Sequence, residues 1–186
     1  MGTARRSRTI AAPAEELWEV IRDPHHLPRW WPRVSRVESV EGDEFTEVLK
    51  TAKGKVVRAD FNVVACDDAA YSLIWVQRVE GTPFARVLKS AETEIRLAPV
   101  ATAAAQAFGA GGELAPIGGE ATEVTIELRQ TLQGSLPTDR RSASTSGRFS
   151  LRVGGVARLG SPLVRRAAHR TLDEALNGLE RIGGQA

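Results

Sequence analysis

From Pro32 onward the apolar residues of this chain change their spacing, and that change constrains the fold more than any motif does. Ahead of it, Leu17, Trp18 and Ile21 recur at three- and four-residue steps, as on one face of a helix. Behind it, apolar and polar residues alternate over 34–41, 44–52, 55–65, 71–79, 86–97 and 122–133. A period of two belongs to strands with one covered face. Strand 122–133 is the clearest: Val124, Ile126, Leu128 and Leu132 point one way, and Glu123, Thr125, Glu127, Arg129 and Thr131 the other. Gly42-Asp43, Lys53-Gly54, Asp67-Asp68 and Gly81-Thr82-Pro83 separate the segments. Such short connections suit hairpins, and hence an antiparallel sheet.

The flanks are helical. Residues 5–11 suit a short strand, and Pro13 then occupies a first-turn position before a helix over Ala14–Arg22, with Glu15 and Glu16 near its positive end. Asp23-Pro24 repeats the cap-then-proline order for a short helix over His25–Trp30, which Pro32 ends. At the other end, Ser161-Pro162 reads as a cap, and Val164, Ala168, Leu172, Ala175, Leu176, Leu179 and Ile182 form one stripe that Gly183-Gly184 stops. A helix of about 21 residues spans roughly 32 Å. The segments 98–119 and 134–152 have no period and read as long loops.

A chain of 186 residues buries roughly 70% of its extended surface and is expected to form a single domain, 1–186. No apolar run approaches the ~20 residues that span a bilayer, and no apolar stretch follows the basic start to make a signal peptide, so a cytoplasmic protein is expected. Cys66 is the single cysteine, which excludes an intrachain disulfide and a thiolate metal cluster. His25, His26 and His169 have no partner pattern, and the glycines lack a phosphate-loop context, so no metal and no cofactor is expected. The net charge of +2 is unevenly spread. Residues 38–47 are purely acidic, whereas Arg140, Arg141, Arg148, Arg152, Arg158, Arg165, Arg166 and Arg170 face one acid, Asp139.

The element order is strand, two short helices, antiparallel sheet and long helix. One helix covers only a band of a broad sheet, so a curled sheet leaves room for a cleft. The stretches TIAAPAEELWEVIRDPHHLPRWWPRVSRVE, VEGTPFARVLKSAETEIRL, TEVTIELRQTLQG and PLVRRAAHRTLDEALNGLERI carry a resemblance to the START/Bet v 1-like superfamily, and within it to the polyketide cyclase/dehydrase and lipid-transport (SRPBCC) family. The resemblance implies an α+β helix-grip fold, a curved antiparallel sheet wrapped around a long C-terminal helix and enclosing an apolar cavity. The long loops depart from the simpler members.

Several residues are candidates for the cavity. In Trp30-Trp31 the side chains diverge, so Trp30 is read as an anchor against the sheet and Trp31 as a rim residue, while Trp18 belongs to the core. By alternation Phe61 lies with Val57, Ala59 and Val63, and Trp75 with Tyr71, Leu73, Gln77 and Val79. Thr93 and Ile95 line the next strand, and Gln130 follows Ile126 and Leu128 inward. Large apolar walls with a few polar groups suit an oriented hydrophobic ligand. Tyr71 and Gln77 are the candidates for any proton exchange with a carbonyl. Binding or transport of a small lipid-like or aromatic molecule ranks first. A cofactor-independent aromatase/cyclase ranks second, and docking of Arg140, Arg141, Arg148 and Arg152 on RNA, a ribosome or an anionic membrane third.

Overall fold

The computed structural model describes residues 2–51, 54–100, 120–133 and 156–184, without the side chains of residues 83 and 156–163. Strand β1 (Gly2–Ile10) leads into helix α1 (Ala14–Arg22), a 3-10 turn (Pro24–His26) and the one-turn helix α2 (Leu27–Trp30). Strands β2 (Val34–Glu41), β3 (Glu44–Lys50), β4 (Val56–Asp67), β5 (Ser72–Arg78), β6 (Leu88–Val100) and β7 (Ala121–Leu132) follow, and helix α3 (Val156–Gly183) ends the chain. The strands form one antiparallel sheet in the order β1-β7-β6-β5-β4-β3-β2. It curves around α3, the helix-grip arrangement that the sequence implies.

The local signals act largely as read. Leu17, Trp18 and Ile21 are buried on one face of α1. Asp23 accepts the amide of His25 at 2.9 Å through Oδ1, with Pro24 next in the turn. The expected helix over 25–30 is instead split into a 3-10 turn and α2, because Pro28 has no amide to donate back to Pro24. Gly42, Gly54 and Gly81 take the positive φ angles that their turns need. The last helix starts at Val156, upstream of the expected cap, so Pro162 stands inside it and removes one backbone bond.

Core and surface separate across the sheet. Trp75, Leu73, Ile95, Val124 and Ile126 pack inward against Leu172, Ala175, Leu176 and Leu179 of α3. On the outer face Arg129 reaches Glu92 and Glu94 at 2.6 Å each and Glu127 at 2.7 Å. The alternation in β7 thus produces one covered face and one charged face.

The closest approach at any described glycine lies between α2 and α3. A Cβ on Gly178 would stand 2.4 Å from the backbone oxygen of Trp30 and 2.7 Å from its Cα. Backbone cannot yield there as a flexible side chain could. Gly178→Ala is therefore expected to lower Tm, costing about 1–3 kcal/mol through forced displacement, although alanine is the better helix former by roughly 1 kcal/mol. A thermal melt of the variant at or above the wild-type Tm contradicts this packing.

Candidate functional site

Where α2 ends, the tryptophan pair divides. Trp30 is buried in the helix, while Trp31 leaves it in extended conformation and is half-exposed. Their rings meet edge to face at 5.3 Å, and Trp31 meets Trp75 of β5 in the same way at 5.7 Å. Across the sheet Phe45 stacks on Phe61 at 5.2 Å and stands edge-on to Trp75 at 6.2 Å. Register explains the wall: Phe45 lies opposite Phe61, Phe61 opposite Gln77, and Val63 opposite Trp75. Rigid rings held in this way give a large apolar surface with little freedom to collapse.

Beside this wall lies a cleft of about 400 Å³ between the concave face and the N-terminal half of α3. Its lining includes Trp31, Phe61, Trp75, Gln77, Phe84, Thr93, Leu128 and Gln130 from the sheet side. Val164, Ala167, Ala168 and Thr171 face them from α3. Small residues on the helix opposite large ones on the sheet leave the space open. The described lining carries no charged side chain, and its polar groups are Gln77, Gln130, Thr93 and Thr171. A second hollow of about 310 Å³ continues past Gln130 to Gly2, Thr3 and Ala4 of β1. A larger groove of about 650 Å³ runs outside, between residues 28–34 and the C-terminal half of α3. Arg29, Arg33, Glu174, Glu180 and Arg181 make that groove ionic, so the cleft is the better site for an apolar molecule.

Six of the nine residues expected at the cavity meet in this cleft: Trp31, Phe61, Trp75, Gln77, Thr93 and Gln130. Leu73 and Ile95 point the same way but are buried in the core beneath it. Tyr71 departs from its expected place. It precedes β5, with a φ of 47°, so the alternation of that strand does not govern it. Its hydroxyl donates to Glu15 Oε1 at 2.8 Å, and its ring packs edge-on to Trp18 under α1. The hydrogen bond to Glu15 raises the phenol pKa, which makes proton release harder still. Trp18 is buried as expected, but its indole also donates to Asp68 Oδ1 at 2.7 Å. The residues 140, 141, 148 and 152, proposed for docking, lie outside the described residues.

Glu47 is the residue that the sequence reading missed. It is 2% exposed on β3, and its Oε1 has no hydrogen-bond partner among the described residues. Burial pushes its carboxyl up to about 8. Phe45, Glu47 and Leu49 share one face, so the signal was a carboxylate standing in the apolar phase of EFTEVLK. Among the described residues no group of three or more acids, histidines and cysteines could hold a metal ion.

A family model described as polyketide cyclase/dehydrase and lipid transport matches residues 1–182. The chain belongs to this family. Its fold is that of the START/Bet v 1-like superfamily. A START superfamily protein from Mycobacterium smegmatis superposes with a TM-score of 0.61 at 14% identity, over 98% of this chain and 97% of that one. The Zhui aromatase/cyclase from a Streptomyces species gives 0.63 at 16% identity, over 99% and 94%. The di-domain ARO/CYC BexL gives 0.62 at 17% identity, over 97% of this chain and 46% of that one. At these identities the likeness is one of fold. A search of curated proteins finds no match. Family and fold support a small hydrophobic or polyketide-like ligand, and no helix among the described residues is long and apolar enough to cross a membrane.

Glu47 makes a stability prediction for this family member. Its carboxyl is harder to ionise in the folded state, where the pKa is about 8, than at the ordinary value of 4.5. The folded state therefore holds this proton more tightly than the unfolded one. Stability is unaffected below pH 4.5, falls between 4.5 and about 8, and stays lowered above that, by several kcal/mol. Glu47→Gln should unfold near the wild-type Tm at pH 4 and several degrees above it at pH 9. Parallel Tm-against-pH curves for the two proteins contradict the buried acid.

Proposed function

We propose that the chain is a cofactor-independent aromatase/cyclase acting on a poly-β-carbonyl or related ring-forming acyl chain. The observation that carries this reading is the cleft itself: aromatic walls at fixed angles, with two amides, Gln77 and Gln130, opening among them. A flexible poly-carbonyl chain laid against Trp31, Trp75 and Phe61 loses most of its conformers before it reacts. Holding one carbonyl carbon near an activated methylene makes ring closure effectively unimolecular. The amide N–H groups of Gln77 and Gln130 then favour the oxygen on which negative charge develops. The family description and two aromatase/cyclase structures of similar fold support this reading.

The second reading is carriage of a hydrophobic molecule without chemistry. The charge-free lining of the cleft favours it, since none of the described lining residues titrates near neutral pH. One assay separates the two. Purified protein added to the unreduced poly-β-ketone released by a minimal polyketide synthase should shift the products toward one aromatic regioisomer. Gln77→Leu should reduce that shift by about tenfold or more, the loss of one stabilising hydrogen bond to developing charge. Saturable binding with an unchanged product profile assigns the chain to carriage, and no saturable binding contradicts both.

A further inference from the structure

The cyclase and carriage readings use Gln77 and Gln130 and leave Glu47 without a role, although it is the least accommodated side chain on the concave face. A carboxyl group in an apolar wall costs stability, and leucine would fill the same position without that cost. Its place relative to the cleft suggests what it does. Glu47 lies directly opposite Ala59, and Phe61 follows two residues later on β4. Glu47 and Phe61 are thus diagonal cross-strand neighbours, with Cα atoms about 7–8 Å apart, within reach of long side chains. Phe61 is a wall of the cleft, and Glu47, which is not itself on the lining, adjoins that wall on β3.

We propose that Glu47 is a ligand-binding residue whose carboxyl O–H donates a hydrogen bond to a carbonyl oxygen of the bound molecule, and so selects ring-containing ketones over the matching hydrocarbons. The carboxyl is a donor only while protonated, and with a pKa of about 8 it keeps its proton at neutral pH. Its neighbours do not alter this. Arg36 and Arg58 alternate onto the opposite face, where they pair with Glu38 at 2.6 and 3.1 Å. Asp60 is on that outer face with Thr46 at 2.8 Å, Glu44 pairs with Arg78 at 2.8 Å, and Lys50 is exposed at the end of β3. Toward the cleft, the described part of α3 presents Val164, Ala167, Ala168 and Thr171, none of which titrates. Val37 and Ala59, the cross-strand partners, are apolar.

This assignment rests on the cleft being a ligand site, and the test separates the two claims. The probes are 9-fluorenone and fluorene, tricyclic molecules that differ by one carbonyl oxygen, titrated calorimetrically into the full chain. Wild type should prefer fluorenone by about five- to tenfold at pH 6, the value of one hydrogen bond, and lose the preference by pH 9.5. Glu47→Gln keeps a neutral donor and should hold the preference at both pH values. Glu47→Leu should bind both probes equally. Binding of both probes with the same preference in wild type and Glu47→Leu overturns the role of Glu47 and leaves the cleft standing. Absence of saturable binding of either probe overturns both claims.

Discussion

A helix is too narrow to cover the sheet it packs on. Seven strands at ~4.8 Å spacing span roughly 29 Å, whereas a helix with its side chains is about 10–12 Å across. Every other feature follows from how the chain deals with that mismatch. At its C-terminal half α3 is seated closely: Gly178 admits the backbone of Trp30, and Gly183 lies against Ile10 and Ala12 of the β1–α1 junction. Ala167 stands eleven positions before Gly178, roughly 16 Å along the helix. There α3 presents alanine and threonine to the large rings of β4 and β5, and the space between them stays open.

The open end is equipped for recognition. Trp31, Trp75, Phe45 and Phe61 brace one another through edge-to-face and stacked contacts. Gln77, Gln130 and Thr93 supply directional contacts within an otherwise apolar lining. Glu47 adds a carboxyl group where the fold gains nothing from one. A residue that lowers stability and leaves a buried carboxyl oxygen unpaired among the described residues is what a site under selection for function retains.

Much of this was legible in the chain. The change from helical to alternating spacing at Pro32 located the sheet, and Asp23-Pro24 located a turn, because both signals are local and steric. The divergence of Trp30 and Trp31 was read from helical spacing, whereas in the structure Trp31 has already left the helix in extended conformation. What escaped depended on contacts distant in sequence or on backbone exceptions. Tyr71 was assigned by the phase of β5, but its positive φ places it before the strand and gives its hydroxyl to Glu15. Glu47 closed an acidic run, 38–47, so its place in the apolar phase of Phe45 and Leu49 went unread, and its burial opposite Ala59 shows that it faces inward. Gly178 lies in an amphipathic helix where nothing local announces Trp30 above it. The β4–β5 pairing also shifts between Val63 and Ala65, an irregularity that alternation alone does not reveal.

The central claim is that the space between α3 and the concave sheet receives an apolar molecule. Side-chain amide resonances report on it directly, because Gln77 and Gln130 are both on its lining and neither is on the ionic groove between residues 28–34 and α3. In a proton–nitrogen correlation spectrum recorded while a tricyclic aromatic ketone is titrated in, both pairs of amide signals should move together and saturate with one dissociation constant. Movement confined to residues outside the cleft, with both glutamines unchanged at saturation, would contradict the account.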